Sequence, residues 1–195
     1  MDGISFHGGV YARRRRAPGP GLAWRLRNLR HAVRGWRGLV APRTGFPAFT
    51  AALSARVIRS DGGVINYGVV SRRKLTQAFV NYMVDALQSS EANWINFKYH
   101  DSGTGTASED NTDTGLQTAS GLDREVGTQV EGASDNIYRS VATITYDDDY
   151  AITEHGLFNQ AEGGVLMDRS VFAAINVGNG DSIQFTYELL CNPET

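Results

Sequence analysis

Cysteine is almost absent from this sequence, with Cys191 the only one among 195 residues. One cysteine cannot form a disulfide within the chain, and it excludes zinc sites that need several thiolates. Proline is also scarce, at 5 residues. No apolar run reaches the roughly 18 residues that a membrane-spanning helix needs. We therefore expect no membrane span, and the chain length favours one well-buried domain.

Acidic residues are scarce in the first part of the chain. Residues 1–74 contain 15 Lys and Arg but only 2 acids, whereas residues 75–195 contain 4 Lys and Arg and 19 acids. The overall net charge of -2 hides this separation. Such asymmetry is typical of a basic arm and an acidic body that have different partners. We place the arm at residues 1–53 and the body at residues 54–195.

The arm combines an arginine run with the pattern of an amphipathic helix. The run consists of Arg13, Arg14, Arg15 and Arg16, and a Pro/Gly-rich stretch that cannot continue a helix follows it. Further on, apolar residues recur at alternating intervals of four and three, which predicts one apolar stripe on an α-helix. The stripe is Leu22, Leu26, Leu29, Val33, Trp36 and Val40. The arginines beside it are Arg27, Arg30, Arg34 and Arg37.

Several partners suit this arm. Guanidinium groups pair with phosphate and carboxylate alike, so nucleic acid and an acidic protein surface, on the chain's own body or on a neighbour, are both suitable. A basic amphipathic helix that carries Trp24 and Trp36 also suits an anionic membrane surface. The apolar stripe favours a protein groove, because duplex DNA offers little apolar surface to cover it. We expect the stripe and the arginines to anchor the arm to a neighbouring subunit.

The body has the pattern of a mainly β fold. Alternating segments and Gly-rich turns recur at roughly ten-residue spacing, which is typical of an antiparallel β-sandwich or a jelly-roll-like sheet pair. The predicted strands are residues 54–60, 64–70, 93–99, 136–146, 152–158, 165–172 and 182–190. One packed helix is predicted after an N-cap at Ser71, with Leu75, Phe79, Met83 and Leu87 on one face. Residues 100–134 are predicted to form a long loop region with one or two short strands around residues 117 and 128.

Residues with catalytic or metal-binding potential occur in unsuitable patterns. The sequence His100-Asp101-Ser102 contains the residue types of a hydrolase triad, but three adjacent residues cannot align as one. Glu154 and His155 should lie on opposite faces of a predicted strand. Residues 110–115 lack the spacing of a calcium loop, and residues 147–149 are typical of a solvated turn. We expect no catalytic residue, no metal ligand and no cofactor, while calcium binding by the acidic loops stays open.

Four segments of the body resemble a known class of protein. They are GVVSRR at 68–73, FKYHDSGTGT at 97–106, AITEHGLF at 151–158 and GDSIQFTYEL at 180–189. They resemble structural proteins of tailed-bacteriophage virions, over about residues 54–190, and the arm has no counterpart in that resemblance. The resemblance carries over no catalytic residue.

The resemblance implies a non-enzymatic structural protein located in the virion and assembled in the cytoplasm of a host bacterium. The function expected first is that of a capsid cement or decoration protein, which binds and stabilises neighbouring major capsid subunits and self-associates into oligomers. A tail, baseplate or neck component is the alternative. A nucleic-acid-binding protein that uses the arginine-rich arm is a further alternative, and it would lose affinity steeply as salt rises.

Overall fold

The computed structural model describes residues 19–37, 48–73, 75–88 and 97–192. These residues form two antiparallel β-sheets and two α-helices, which confirms the predicted mainly β fold. The helices are α1 (Leu22–Arg37) and α2 (Gln77–Gln88). The strands are β1 (Ala48–Ile58), β2 (Val64–Arg73), β3 (Tyr99–Gly103), β4 (Glu125–Val126), β5 (Thr128–Glu131), β6 (Ile137–Thr145), β7 (Tyr150–Phe158), β8 (Leu166–Val177) and β9 (Ser182–Asn192).

The first sheet has the strand order β2-β1-β9-β6-β5, and the second has the order β4-β3-β7-β8. The predicted hairpin of β1 and β2 is confirmed, with a turn at residues 61–63. Gly62 has a φ of 84° in that turn, a conformation that glycine adopts without steric cost. β1 begins at Ala48, so it crosses the boundary that the sequence placed between residues 53 and 54.

The core lies between the two sheets and is centred on β9. Ile183, Phe185 and Tyr187 are each 0% exposed, which confirms the predicted alternation of this strand. The ring of Phe185 lies 4.6 Å from His155 and 6.3 Å from Phe172, both on the second sheet. Burying a large apolar side chain is worth about 1.5–3 kcal/mol. This strand therefore provides much of the contact between the sheets.

Strands β7 and β8 of the second sheet are largely buried on both faces, because the long loop after β3 covers their outer side. Glu154 of β7 is fully buried beneath that loop. Its carboxylate accepts backbone N–H bonds from Gly105 at 3.0 Å, Thr118 at 2.7 Å and Gln117 at 3.0 Å. Arg169 of β8 donates a fourth bond at 2.7 Å. One buried carboxylate thus fixes both halves of the loop to the sheet.

The loop differs in detail from the prediction. The short strand expected near residue 128 is confirmed by β5. Near residue 117 the described chain has only a single bridge, between Gly103 and Ala119. Of the strand predicted over residues 93–99, residues 93–96 lie outside the described part of the chain. Among the described residues, β3 begins at Tyr99.

The packed helix α2 is confirmed, but its predicted N-cap is wrong. Ser71 lies within β2, because that strand continues to Arg73. The cap is Thr76, whose hydroxyl accepts a bond from the Phe79 N–H at 3.2 Å. Of the face predicted to be buried, Phe79 is buried, whereas Leu87 is 82% exposed.

Candidate functional site

Helix α1 joins the edges of the two sheets. The side-chain amide of Asn28 donates to the Val70 carbonyl of β2 at 2.9 Å and accepts from the Ala173 N–H of β8 at 3.0 Å. The indole N–H of Trp24 donates to the Ala173 carbonyl at 3.1 Å. Trp24 also packs edge-on against Tyr67, with ring centroids 4.8 Å apart. The helix therefore covers the two strands that end their sheets on this side.

The face of α1 that packs on the body is opposite to the one that its apolar pattern indicates. Trp24, Asn28 and His31 are buried. Leu22, Leu26 and Leu29 are 72%, 62% and 56% exposed. At 100° per residue the two sets lie on opposite sides of the helix. Within the described residues, the first half of the predicted stripe is thus an apolar surface open to solvent.

The structure reaches only part of the predicted arm site. Arg27 is exposed, and so is Arg25, which the sequence reasoning did not include. The backbone of α1 continues through Arg37, but the description does not extend to some side chains. Those residues are Arg30, Val33, Arg34, Trp36 and Arg37. Four more predicted residues, Arg13, Arg14, Arg15 and Arg16, and the last stripe residue, Val40, lie outside the described residues.

A second apolar surface lies on α2, and the sequence reasoning missed it. Val80, Val84 and Leu87 are 37%, 48% and 82% exposed, at the same four-and-three spacing as the leucines of α1. Leu87 also lines an apolar cleft of about 430 Å³. Its lining is Phe49, Phe79, Met83, Leu87, Phe97, Tyr138, Met167, Leu189 and Cys191. The signal was present in the sequence, because α2 is apolar on nearly all sides and a small body cannot cover every side.

The residues of the His100-Asp101-Ser102 sequence diverge in the structure. Asp101 pairs with Arg124 at 3.3 Å, and the Ser102 hydroxyl lies 3.0 Å from the Tyr146 hydroxyl. His100 and Ser102 face the space between the sheets and Asp101 faces the other side, as the alternation of a strand requires, and His100 and Ser102 contact different partners there. The three side chains are therefore not brought together.

His100 belongs to a buried group that the sequence reasoning missed. Its Nδ1 lies 2.9 Å from Nε2 of His155, and its Nε2 lies 2.8 Å from the Ser140 hydroxyl. His155 Nδ1 is buried without a partner among the described residues. The neutral ring therefore carries its proton on Nε2 and leaves Nδ1 unprotonated. Each imidazole N–H then has an acceptor, with His155 donating to His100 and His100 donating to Ser140. The three residues are 0% exposed, so no substrate reaches them in this conformation.

The acidic loops are held by bonds within the protein. Asp110 accepts bonds from the backbone and the hydroxyl of Thr112, at 2.9 and 2.7 Å. Asp113 pairs with Arg169 at 3.1 Å. Across the ranges described, no group of three or more His, Cys, Asp or Glu residues has an arrangement that could hold a metal ion. Burial raises the pKa of the Cys191 thiol.

Comparisons with known proteins leave the chain without an assigned relative. No protein-family model matches it, and neither the curated proteins nor the solved structures contain a match. In the described part of the chain, no helix is both long enough and apolar enough to cross a membrane.

Proposed function

We propose that this protein is a non-enzymatic structural protein of a tailed-bacteriophage virion, namely a capsid cement or decoration protein. Its body binds and stabilises neighbouring major capsid subunits, and its basic arm anchors to a neighbouring subunit. The four body segments that resemble virion proteins support the proposal. Under it, the two sheets form a jelly-roll-like sandwich, and the protein works in the assembled virion.

The observation that carries the proposal is the exposure of Leu22, Leu26 and Leu29 on a helix that its own body holds in place. A helix whose outer face is this apolar is suited to lie in a groove of another protein. The inner face of α1 is already fixed by Trp24 and Asn28, so the outer face is presented without a further ordering cost. The exposed Arg25 and Arg27 then orient the helix towards carboxylates at the rim of the groove.

The test begins with the particle. The protein should co-purify with virions and be present in hundreds of copies. A count of roughly a dozen or fewer per particle would assign it to the tail, baseplate or neck instead. Absence from purified virions would overturn the proposal.

Variants then separate protein attachment from nucleic-acid attachment. Leu26→Asp should release the protein from particles, because it places a charge in the apolar contact. Arg27→Gln, one residue along the helix, is the matched control and should weaken retention only in dilute buffer, where charges are poorly screened. If Arg27→Gln releases the protein and Leu26→Asp does not, the arm is an electrostatic tether, and nucleic acid becomes the better partner.

A further inference from the structure

We propose that α1 of one copy packs on α2 of a second copy, so that copies of this protein associate head to tail. This inference rests on the proposed function only in naming another copy as the neighbouring subunit that receives the arm. The contact itself would form between purified molecules in solution.

The two helices present matching surfaces. Leu22, Leu26 and Leu29 on α1 and Val80, Val84 and Leu87 on α2 share the spacing i, i+4 and i+7. Each set covers two helical turns, or about 10 Å of helix length. Such rows are the ridges that interdigitate when two helices pack.

Within one molecule these surfaces do not cover each other. α1 is fixed to the β2 and β8 edges through Asn28 and Trp24, and every member of both sets remains exposed. Exposed apolar rows of this kind mark interaction sites. The described residues therefore leave both surfaces open to a partner.

Two copies could pair α1 with α1, α2 with α2, or α1 with α2. Charge favours the pairing of α1 with α2. α1 contains five arginines and no acid, so packing α1 on α1 would bring two strongly cationic helices together. α2 contains a single charged residue, Asp85, which lies about 100° around the helix from Val84, so an α2–α2 pair gains nothing from charge. Only α1 on α2 places opposite charges together. The apolar cleft beside Leu87 extends the receiving surface, with Phe49 exposed at its border.

The geometry has a consequence for assembly. The donor and acceptor surfaces are different, so each copy has one of each. Such heterologous contacts continue from copy to copy, and they form rings or extended arrays rather than a closed two-fold dimer. A protein that covers a particle surface is served by contacts of this kind.

The test measures the association of the full-length chain by sedimentation. The variant Leu26→Asp removes the donor surface, and Val84→Asp removes the acceptor surface. Each should raise the dissociation constant at least roughly tenfold. The matched control is Val126→Asp, at a valine of β4 that is 57% exposed, and it should leave association unchanged. Circular dichroism checks that each variant stays folded.

Mixing the two defective variants gives the decisive measurement. The Leu26→Asp chain keeps its acceptor and the Val84→Asp chain keeps its donor, so the mixture should form heterodimers although neither variant associates alone. If only one of the two substitutions abolishes association, like helices pair with like, and the proposal is wrong. A wild-type chain that stays monomeric also overturns it. Attachment to virions is measured separately, so association without attachment would contradict the proposed function alone.

Discussion

The two histidines buried between the sheets, His100 and His155, resist protonation in the folded protein. Burial lowers the pKa of His100 to about 3. It also lowers the pKa of His155 well below its ordinary value, and the neighbouring His100 adds to that effect. Both rings are therefore neutral in the folded protein at pH 7. Protonating either one would place a charge in a space that solvent does not reach.

The protein should lose stability as the pH falls from about 6.5 towards about 3. In that window the unfolded chain binds protons that the folded chain excludes, since the folded pKa of His100 lies below its unfolded value. Each histidine contributes up to about 1.4 kcal/mol per pH unit. Urea unfolding across this pH range measures the slope. His100→Gln keeps hydrogen-bonding groups towards Ser140 and His155 but cannot titrate, so its slope should be shallower.

Two carboxyl groups, those of Asp101 and Asp181, also affect how the stability depends on pH. Burial raises the pKa of Asp101, which opposes the histidines because the folded state then binds a proton first as the pH falls. The Gly178 N–H bond and Arg59 lower the pKa of Asp181, whose contribution is lost only below its ordinary range, near pH 3.8. If the slope of His100→Gln equals that of the wild type between pH 6 and 4, the burial of His100 contributes nothing to the acid sensitivity.

Some residue environments were predictable and others were not, for a physical reason. The burial of Ile183, Phe185 and Tyr187 follows from the period of a strand, which is local in sequence. The contact of His100 with His155 depends on the register between β3 and β7, which are separated by about fifty residues in the chain. Strict alternation also fails on β7, because the loop buries the outer face as well and makes Glu154 a core residue.

At the scale of elements, the outer edge of β8 is covered by side chains and one backbone N–H from several parts of the chain. The Thr76 N–H donates to the Met167 carbonyl at 3.0 Å, and the Thr76 hydroxyl donates to the Leu166 carbonyl at 2.5 Å. Glu109 accepts the Val171 N–H at 2.6 Å, and Asn28 accepts the Ala173 N–H at 3.0 Å. An uncovered edge strand is a template for pairing with other chains. These contacts therefore keep a twelve-residue edge strand from pairing with another sheet.

Asn28→Ala should destabilise the protein by about 1–3 kcal/mol, because it leaves buried backbone groups of both sheets unpaired. Hydrogen exchange gives a local measurement of the same effect. The amide of Ala173 should exchange faster in the variant, whereas the amide of Val171, which Glu109 binds, should be unchanged. Equal exchange of Ala173 in both proteins would mean that α1 does not protect this edge.

The existence of α1 was predictable, but its orientation was not. The periodicity of Leu22, Leu26 and Leu29 predicts the helix and marks the face that would usually be buried. The body instead receives the face with Trp24 and Asn28, since the strand edges need hydrogen-bonding side chains there. Hydrophobic periodicity does not include the demands of backbone groups on a distant strand. For the same reason the Thr76 cap was missed in favour of Ser71.

At the scale of the whole molecule, the separation of charge does not coincide with a separation of domains. The basic part includes α1, which packs on the body, and β1 and β2, which form one side of the first sheet. Ala51 of β1 is 1% exposed and pairs with Leu189 of β9. The folded unit therefore begins before residue 54, and α1 is one of its parts.

Shortened chains should rank in stability by what each removes from this unit. A chain that begins at Ala48 keeps all of β1 and should still unfold cooperatively. It should melt below the full chain, because it loses the burial of Trp24, worth about 1.5–3 kcal/mol, and both hydrogen bonds of Asn28. The edge of β2 and the part of β8 beside Ala173 lose their cover, which should also make it aggregate as its concentration rises.

A chain that begins at Ala52 should be less stable still, since it also loses the pairing of residues 48–51 with the end of β9. Melting followed by circular dichroism compares the three chains, and Trp24→Ala in the full chain separates the loss of the α1 contact from the loss of chain length. Under this reasoning Trp24→Ala moves the melting temperature in the same direction as removal of residues 1–47. If the chain from Ala48 melts at the temperature of the full protein, the docking of α1 adds nothing to stability, and α1 acts only as an arm.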